Sequence, residues 1–241
     1  MDGLLLFVKY ALPPNQRQFC GPAKTREIFE YWRYQQSDAG LRQLLREFTG
    51  AYPYLQFIAQ QNQIADPFDP RVVEAYWIGN SLLKNISTSR MAQMLKERFQ
   101  SRISPGEMNW LLTKVPAGAK PHHSLHVFDL YHRLKEIQGG ELGLLTKVID
   151  ECRIGWGKVL EVGENQLVVE YRPILIHQQQ LKFGSPQPKT VVLPLGNREN
   201  YQVNEWVSFH WSQVCDRLSA HQLKNLRYWT NFHRRLANLT L

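Results

Sequence analysis

Cys152 and His210 are the residues whose surroundings most suggest chemistry. Cys152 opens Cys152-Arg153-Ile154-Gly155-Trp156-Gly157-Lys158-Val159, a thiol placed at the mouth of a strand. Glycine tolerates close backbone approach and positive φ, so Gly155 and Gly157 suit a tight bend beside that thiol. His210 closes a later strand, Trp206-Val207-Ser208-Phe209-His210-Trp211. A thiolate is a soft ligand for iron, and a neighbouring imidazole can ligate the same ion or accept the thiol proton. Glu151 acts to raise the thiol pKa and Arg153 to lower it. The plainer alternative is a structural cysteine and a strand histidine packed against Trp211.

A second constellation lies upstream. His122, His123 and His126 fall within five residues. In a helix, His122 and His126 are one turn apart on one face; in a strand they share a side. The three are candidates for a second metal site, although no His-Glu-x-x-His pattern accompanies them. The alternative is imidazoles that bond to backbone and aromatic neighbours at a domain junction.

The run Cys-x-Ile-x-x-Gly-Lys-Val at Cys152 to Val159, with Val207-x-x-His210 before a final helix, resembles the hydrogenase-maturation chaperones of the HypC/HupF family. That resemblance covers the C-terminal third and implies a small OB-like barrel. It implies that Cys152 and His210 hold an iron–cyanide–carbonyl unit. It implies a partner surface at Arg153, Gly157 and Lys158 for a hydrogenase maturation protein or the hydrogenase large subunit. Separately, Ile64-Ala65-Asp66-Pro67, Arg71 to Trp77 and Pro121 to Ser124 resemble an uncharacterised bacterial family, which implies no activity.

The elements that must position these residues divide into two halves. Residues 1–15 read as a strand or short helix ended by Pro13-Pro14, since proline fixes φ and lacks an N–H. Helices are expected over 23–36, 41–48, 54–60, 71–83 and 89–99, each with apolar residues at helical spacing. Asp69 with Pro70 marks a helix start, and Ser104 with Glu107 fits a capping box. Gln138-Gly139-Gly140-Glu141 is the best linker, dividing a helical domain (1–140) from a barrel domain (141–241). In the second half, a short helix over 142–149 precedes strands over 157–162, 167–176, 190–195 and 203–211. The stretch 177–188 reads as a loop and 214–237 as the last helix. The fold class is therefore α+β, an all-α domain followed by an OB-like barrel with a C-terminal helix.

Composition narrows the functional classes. The chain has 241 residues, 43% of them hydrophobic, and a net charge of +8. Three scattered cysteines form neither a disulfide framework nor a zinc spacing, which suits a reducing cytoplasm. The apolar run Leu4 to Val8 is far short of the about 20 residues a membrane span needs, and Asp2 before it with Lys9 after it reverses a signal peptide's charge order. No phosphate loop, serine triad or paired acidic catalyst is present.

An assembly factor for nickel–iron hydrogenase, a scaffold rather than an enzyme, is the first expectation. The second is an RNA- or single-strand-binding protein that stacks bases on Trp156, Trp206, Trp211 and Tyr171 beside a basic last helix; charge alone makes nucleic acid the less favoured partner. The third is a metal-dependent enzyme built on His122, His123 and His126.

Overall fold

The computed structural model describes residues 2–130, 142–178, 180–195 and 199–239. The linker expected at 138–141 lies outside the described residues. Seven helices fill the first part: α1 Gly3–Gln16, α2 Thr25–Tyr34, α3 Ala39–Arg46, α4 Tyr52–Gln61, α5 Pro70–Trp77, α6 Thr88–Phe99 and α7 Pro105–Thr113. Both cap signals hold. Asp69 accepts from the Arg71 N–H with Pro70 in the first turn, and Ser104 and Glu107 satisfy each other's backbone donors. A one-turn helix, α8 (His123–Leu125), passes into a π-turn at His126–Leu130, and α9 spans Leu142–Cys152. No helix among the described residues is long and apolar enough to cross a membrane.

The first element departs from expectation. α1 runs straight through Pro13 and Pro14. Proline is expelled from helix interiors because it strands a carbonyl four residues back. Here the two prolines sit in the last turn, and the carbonyl of Tyr10 finds a donor elsewhere in the fold.

Strands β1 Gly155–Val162, β2 Gln166–Tyr171, β5 Gln187–Val192, β6 Trp206–His210 and β7 Gln213–Arg217 close into a barrel in the order β1-β2-β5-β7-β6. All contacts are antiparallel except β5 with β7, which is the OB arrangement. Val159, Leu167, Val169, Val191, Val207, Phe209 and Val214 fill the interior. Gly155 and Gly157 serve close approach rather than positive φ. A β-carbon on Gly155 would stand 2.2 Å from the Phe209 ring, and one on Gly157 would stand 2.7 Å from the Val169 side chain.

Two stretches read as loop or helix are strands. β4 Gln180–Phe183, inside the stretch read as a loop, pairs in a separate hairpin with β3 Ile174–His177, the end of an expected strand, and β7 occupies what the sequence offers as the start of the last helix. The last helix, α10, spans Ala220–Asn238 from a capping box at Ser219 and Gln222.

α1 ties the two halves together. Lys9 pairs with Glu199 and Asp216 at 2.9 and 3.1 Å, and the Tyr10 hydroxyl meets Ser208 Oγ at 3.2 Å. One apolar core runs from α1 through α7 and includes Ile154, Leu218, Leu226, Trp229 and Leu236 of the C-terminal half. A second core joins Val127 and Phe128 to Val148, Ile149, Cys152, Leu181 and Trp211. The candidate residues lie along this seam.

Candidate functional site

Cys152 is the last residue of α9 rather than the first of a strand. A helix C-terminus carries partial negative charge and disfavours a thiolate. The side chain is 8% exposed; burial pushes the thiol up to about 12, and Cys20 adds to the effect. As a bare nucleophile it is poor. A coordinating metal ion deprotonates a thiol outright.

His210 ends β6. Its Nδ1–H donates to the Tyr10 carbonyl at 2.7 Å, while Nε2 is buried without a hydrogen-bond partner. Burial lowers its pKa to about 4, with the Tyr10 and Cys152 carbonyls acting in the opposite direction. The ring is therefore neutral, with a fixed tautomer and an available lone pair.

His123 is the unexpected member. It opens α8, and its Nε2–H donates to the Cys152 carbonyl at 2.8 Å. That leaves Nδ1 to accept from the Tyr76 hydroxyl at 3.2 Å. Burial, together with His210 and His126, holds His123 well below the usual imidazole range.

One ligand atom from each of His123, Cys152 and His210 lies within 4.8 Å of the others, and all three residues are buried. Zinc–nitrogen and zinc–sulfur bonds of roughly 2.0 and 2.3 Å set ligand atoms on a tetrahedral ion about 3.3–3.8 Å apart. The observed separation is thus at most about an ångström wider than a closed tetrahedral set. The two imidazoles already donate their other ring N–H to backbone carbonyls, the outer contact that orients metal-bound histidine.

The triad lines a cavity of about 220 Å³ with Cys20, His126, Arg98, Arg102, Tyr76 and Trp77 also on its walls. Gly50 sits between Cys20 and His126; a β-carbon there would stand 3.6 Å from Cys20 Sγ and 3.8 Å from His126 Nε2. The loop before α2 covers one side, with Phe19 stacked on Trp211 at 4.2 Å between ring centres.

Cys152 and His210 thus come together, with His123 added to them. The expected cluster of His122, His123 and His126 does not form as one group. His122 is the N-cap of α8 in extended conformation, and its Nδ1 accepts from the Ser124 N–H. It cannot share a helical face with His126. It belongs to a buried chain in which His233 Nδ1 and His122 Nδ1 each lie 2.7 Å from Ser124 Oγ. His126 lies on the cavity wall, its ring centre 6.2 Å from that of His123.

The expected partner surface is also altered. Arg153 is 1% exposed, paired with Asp150 at 2.9 Å and bonded to the Arg172 carbonyl, so its charge is consumed inside the fold. Gly157 is buried and Lys158 half-buried. Of the four aromatics considered for stacking bases, Trp211 and Tyr171 are buried. Trp206 lies under the Arg227 guanidinium at 4.4 Å, in a groove with Lys224, Tyr228 and Arg235.

Fold and site together define an α+β protein in which a helical half and an OB-like barrel enclose a buried cysteine–histidine cluster. The whole chain, residues 1–241, matches the model of a family of unknown function, DUF6390, and the chain belongs to that family. Comparison with curated proteins and with solved structures gives no match.

Proposed function

We propose that this protein binds a soft transition-metal ion, iron or zinc, through His123, Cys152 and His210, and presents it to a small ligand in the adjoining cavity. The observation that carries this reading is the approach of three buried ligand atoms to within 4.8 Å of one another. Thiolate with imidazole suits zinc, copper and iron. Three protein ligands beside a cavity is the pattern of a working metal site, whereas structural zinc sites use four. His210 supplies a neutral nitrogen at Nε2 with its Nδ1–H held by Tyr10, His123 supplies Nδ1 in exchange for its bond from the Tyr76 hydroxyl, and Cys152 supplies negative charge.

The narrower form of this proposal is an assembly factor for nickel–iron hydrogenase, in which the site carries an iron–cyanide–carbonyl unit for a maturation protein or the large subunit. What supports it is the meeting of Cys152 with His210, the pair that the family resemblance implies. It needs partner contacts elsewhere than Arg153.

The test is metal analysis after anaerobic purification and after reconstitution with ferrous or zinc ion. About one equivalent is expected in the wild type, with loss in Cys152→Ser, His123→Ala and His210→Ala. Retention of a full equivalent by all three variants would refute the site. Infrared bands of cyanide and carbonyl on the iron-loaded protein separate the narrower form from the broader one.

A further inference from the structure

We infer that the same cavity binds a small molecule through an oxyanion head, carboxylate or phosphate, held by the guanidinium of Arg98 with Arg102 beside it. This deepens the proposed metal reading, but the binding itself rests on the arginines and stands without the metal.

Arg98 is the first observation. Its Nη2 donates to the carbonyls of Thr49 and Gly50 at 2.7 and 3.0 Å, and the guanidinium lies 4.4 Å from the Tyr54 ring centre. These contacts fix the group in place. Its Nε and Nη1 are nonetheless buried with no hydrogen-bond partner. Leaving donors of a charged group unmet inside a protein is unfavourable, so such donors mark a place for an acceptor. A guanidinium offers its nitrogens in a planar fork that matches carboxylate and phosphate.

The second observation is the cavity's composition. Its wall holds Arg98, Arg102, three histidines and two cysteines, and no aspartate or glutamate among the described residues. Nor does Arg98 form an ion pair with any described acidic residue. Burial lowers His126 on the same wall to about 4, and the Arg98 charge adds to the effect. An uncompensated cation in an enclosed space selects anions.

Size sets the third limit. About 220 Å³ equals the liquid volume of about seven waters. The ligand is a small organic acid or phosphate ester, with its anionic end at Arg98 and the remainder directed into a space the metal ligands also line. Arg102 is exposed and lies where an arriving anion meets the cavity wall.

The experiment follows the thermal midpoint of the full-length protein in sodium phosphate and in sodium acetate against sodium chloride at equal ionic strength. Titrations are run on wild type, on wild type treated with the neutral chelator phenanthroline, and on Arg98→Gln and Arg102→Gln. Phosphate or acetate should raise the midpoint where chloride does not, and the more effective arm identifies the head group. Arg98→Gln should weaken the apparent affinity at least tenfold and Arg102→Gln several-fold. Wild type stripped of metal with phenanthroline should respond as untreated wild type, which keeps failure of the metal site distinct from failure of this one. Equal behaviour of all three salts overturns the inference, as does an unchanged response in Arg98→Gln. Where Arg98→Gln fails to fold, an unchanged response in the exposed Arg102→Gln overturns it.

Discussion

His210 is oriented by Tyr10 because of Pro14. The Tyr10 carbonyl, which the residue four positions on would normally occupy in a helix, receives His210 Nδ1–H at 2.7 Å. Position 14 is proline and has no N–H to offer. A residue in the helical half thus fixes the tautomer of a ligand in the barrel. Pro14→Ala restores a competing donor to that carbonyl. The expected outcome is metal affinity weakened about tenfold, the usual cost of losing an outer-shell contact, with little change in thermal midpoint. Competition with a chromogenic chelator measures the first and calorimetry the second. Equal affinity in the variant would show that the carbonyl does not orient the ring.

The same burial makes the protein acid-sensitive. His126 and His210 are lowered to about 4 and His122 to about 3, while His123 and His233 are also depressed by burial. Between an unfolded value near 6.5 and these folded values, only the unfolded chain binds the proton. Stability therefore rises with pH through that window, each depressed histidine adding to the slope. It is fully present above 6.5 and lost as pH falls towards 4. Asp216, raised by burial, acts in the opposite sense but is one group against five. Denaturant midpoints at pH 7.0, 5.5 and 4.5 should fall steeply, and a flat series would contradict neutral histidines at the seam.

What the sequence made legible was the chemistry written in local pattern. The caps at Asp69 and Ser104 announce their helices because side chain and backbone donor lie within three residues. Short strands rich in β-branched residues between polar turns announce a small barrel. β7 was hidden because Trp211 and Ser212 turn the chain with φ of 50° and 58° without the Asn-Gly pair that usually signals such a turn. Glu151 holds that turn instead, its carbonyl taking the Trp211 N–H and its carboxylate the Ser212 hydroxyl. His123 could not be assigned to Cys152 from spacing. Its local neighbours invited a helical pairing of His122 with His126, and only the seam between halves brings it to the α9 terminus. The pairing of Cys152 with His210 came from a resemblance rather than from any periodicity.

His122 and His123 are adjacent in sequence and separate in role, which a pair of substitutions distinguishes. His122→Ala breaks the buried chain through Ser124 to His233 and leaves the Ser124 hydroxyl and N–H without the acceptor they share. A stability loss of about 1–3 kcal/mol is expected, with metal stoichiometry intact. His123→Ala should lose the metal. Metal loss in His122→Ala without loss of fold would return His122 to the ligand set.

The cavity's outer wall depends on Gly21. Its φ is +88°, and a β-carbon there would fall 2.3 Å from the Phe48 ring, which is itself 1% exposed in the helical core. Neither the backbone nor the ring has room to yield, because Phe48 packs edge-on against Phe7 at 5.4 Å. Gly21→Ala should therefore displace the segment carrying Phe19 and Cys20, with about 1–3 kcal/mol lost to strain alone. Phe19 stacks on Trp211, so indole fluorescence should report the displacement together with the fall in thermal midpoint. A variant with wild-type midpoint and fluorescence would mean that this loop is not held against the cavity as described.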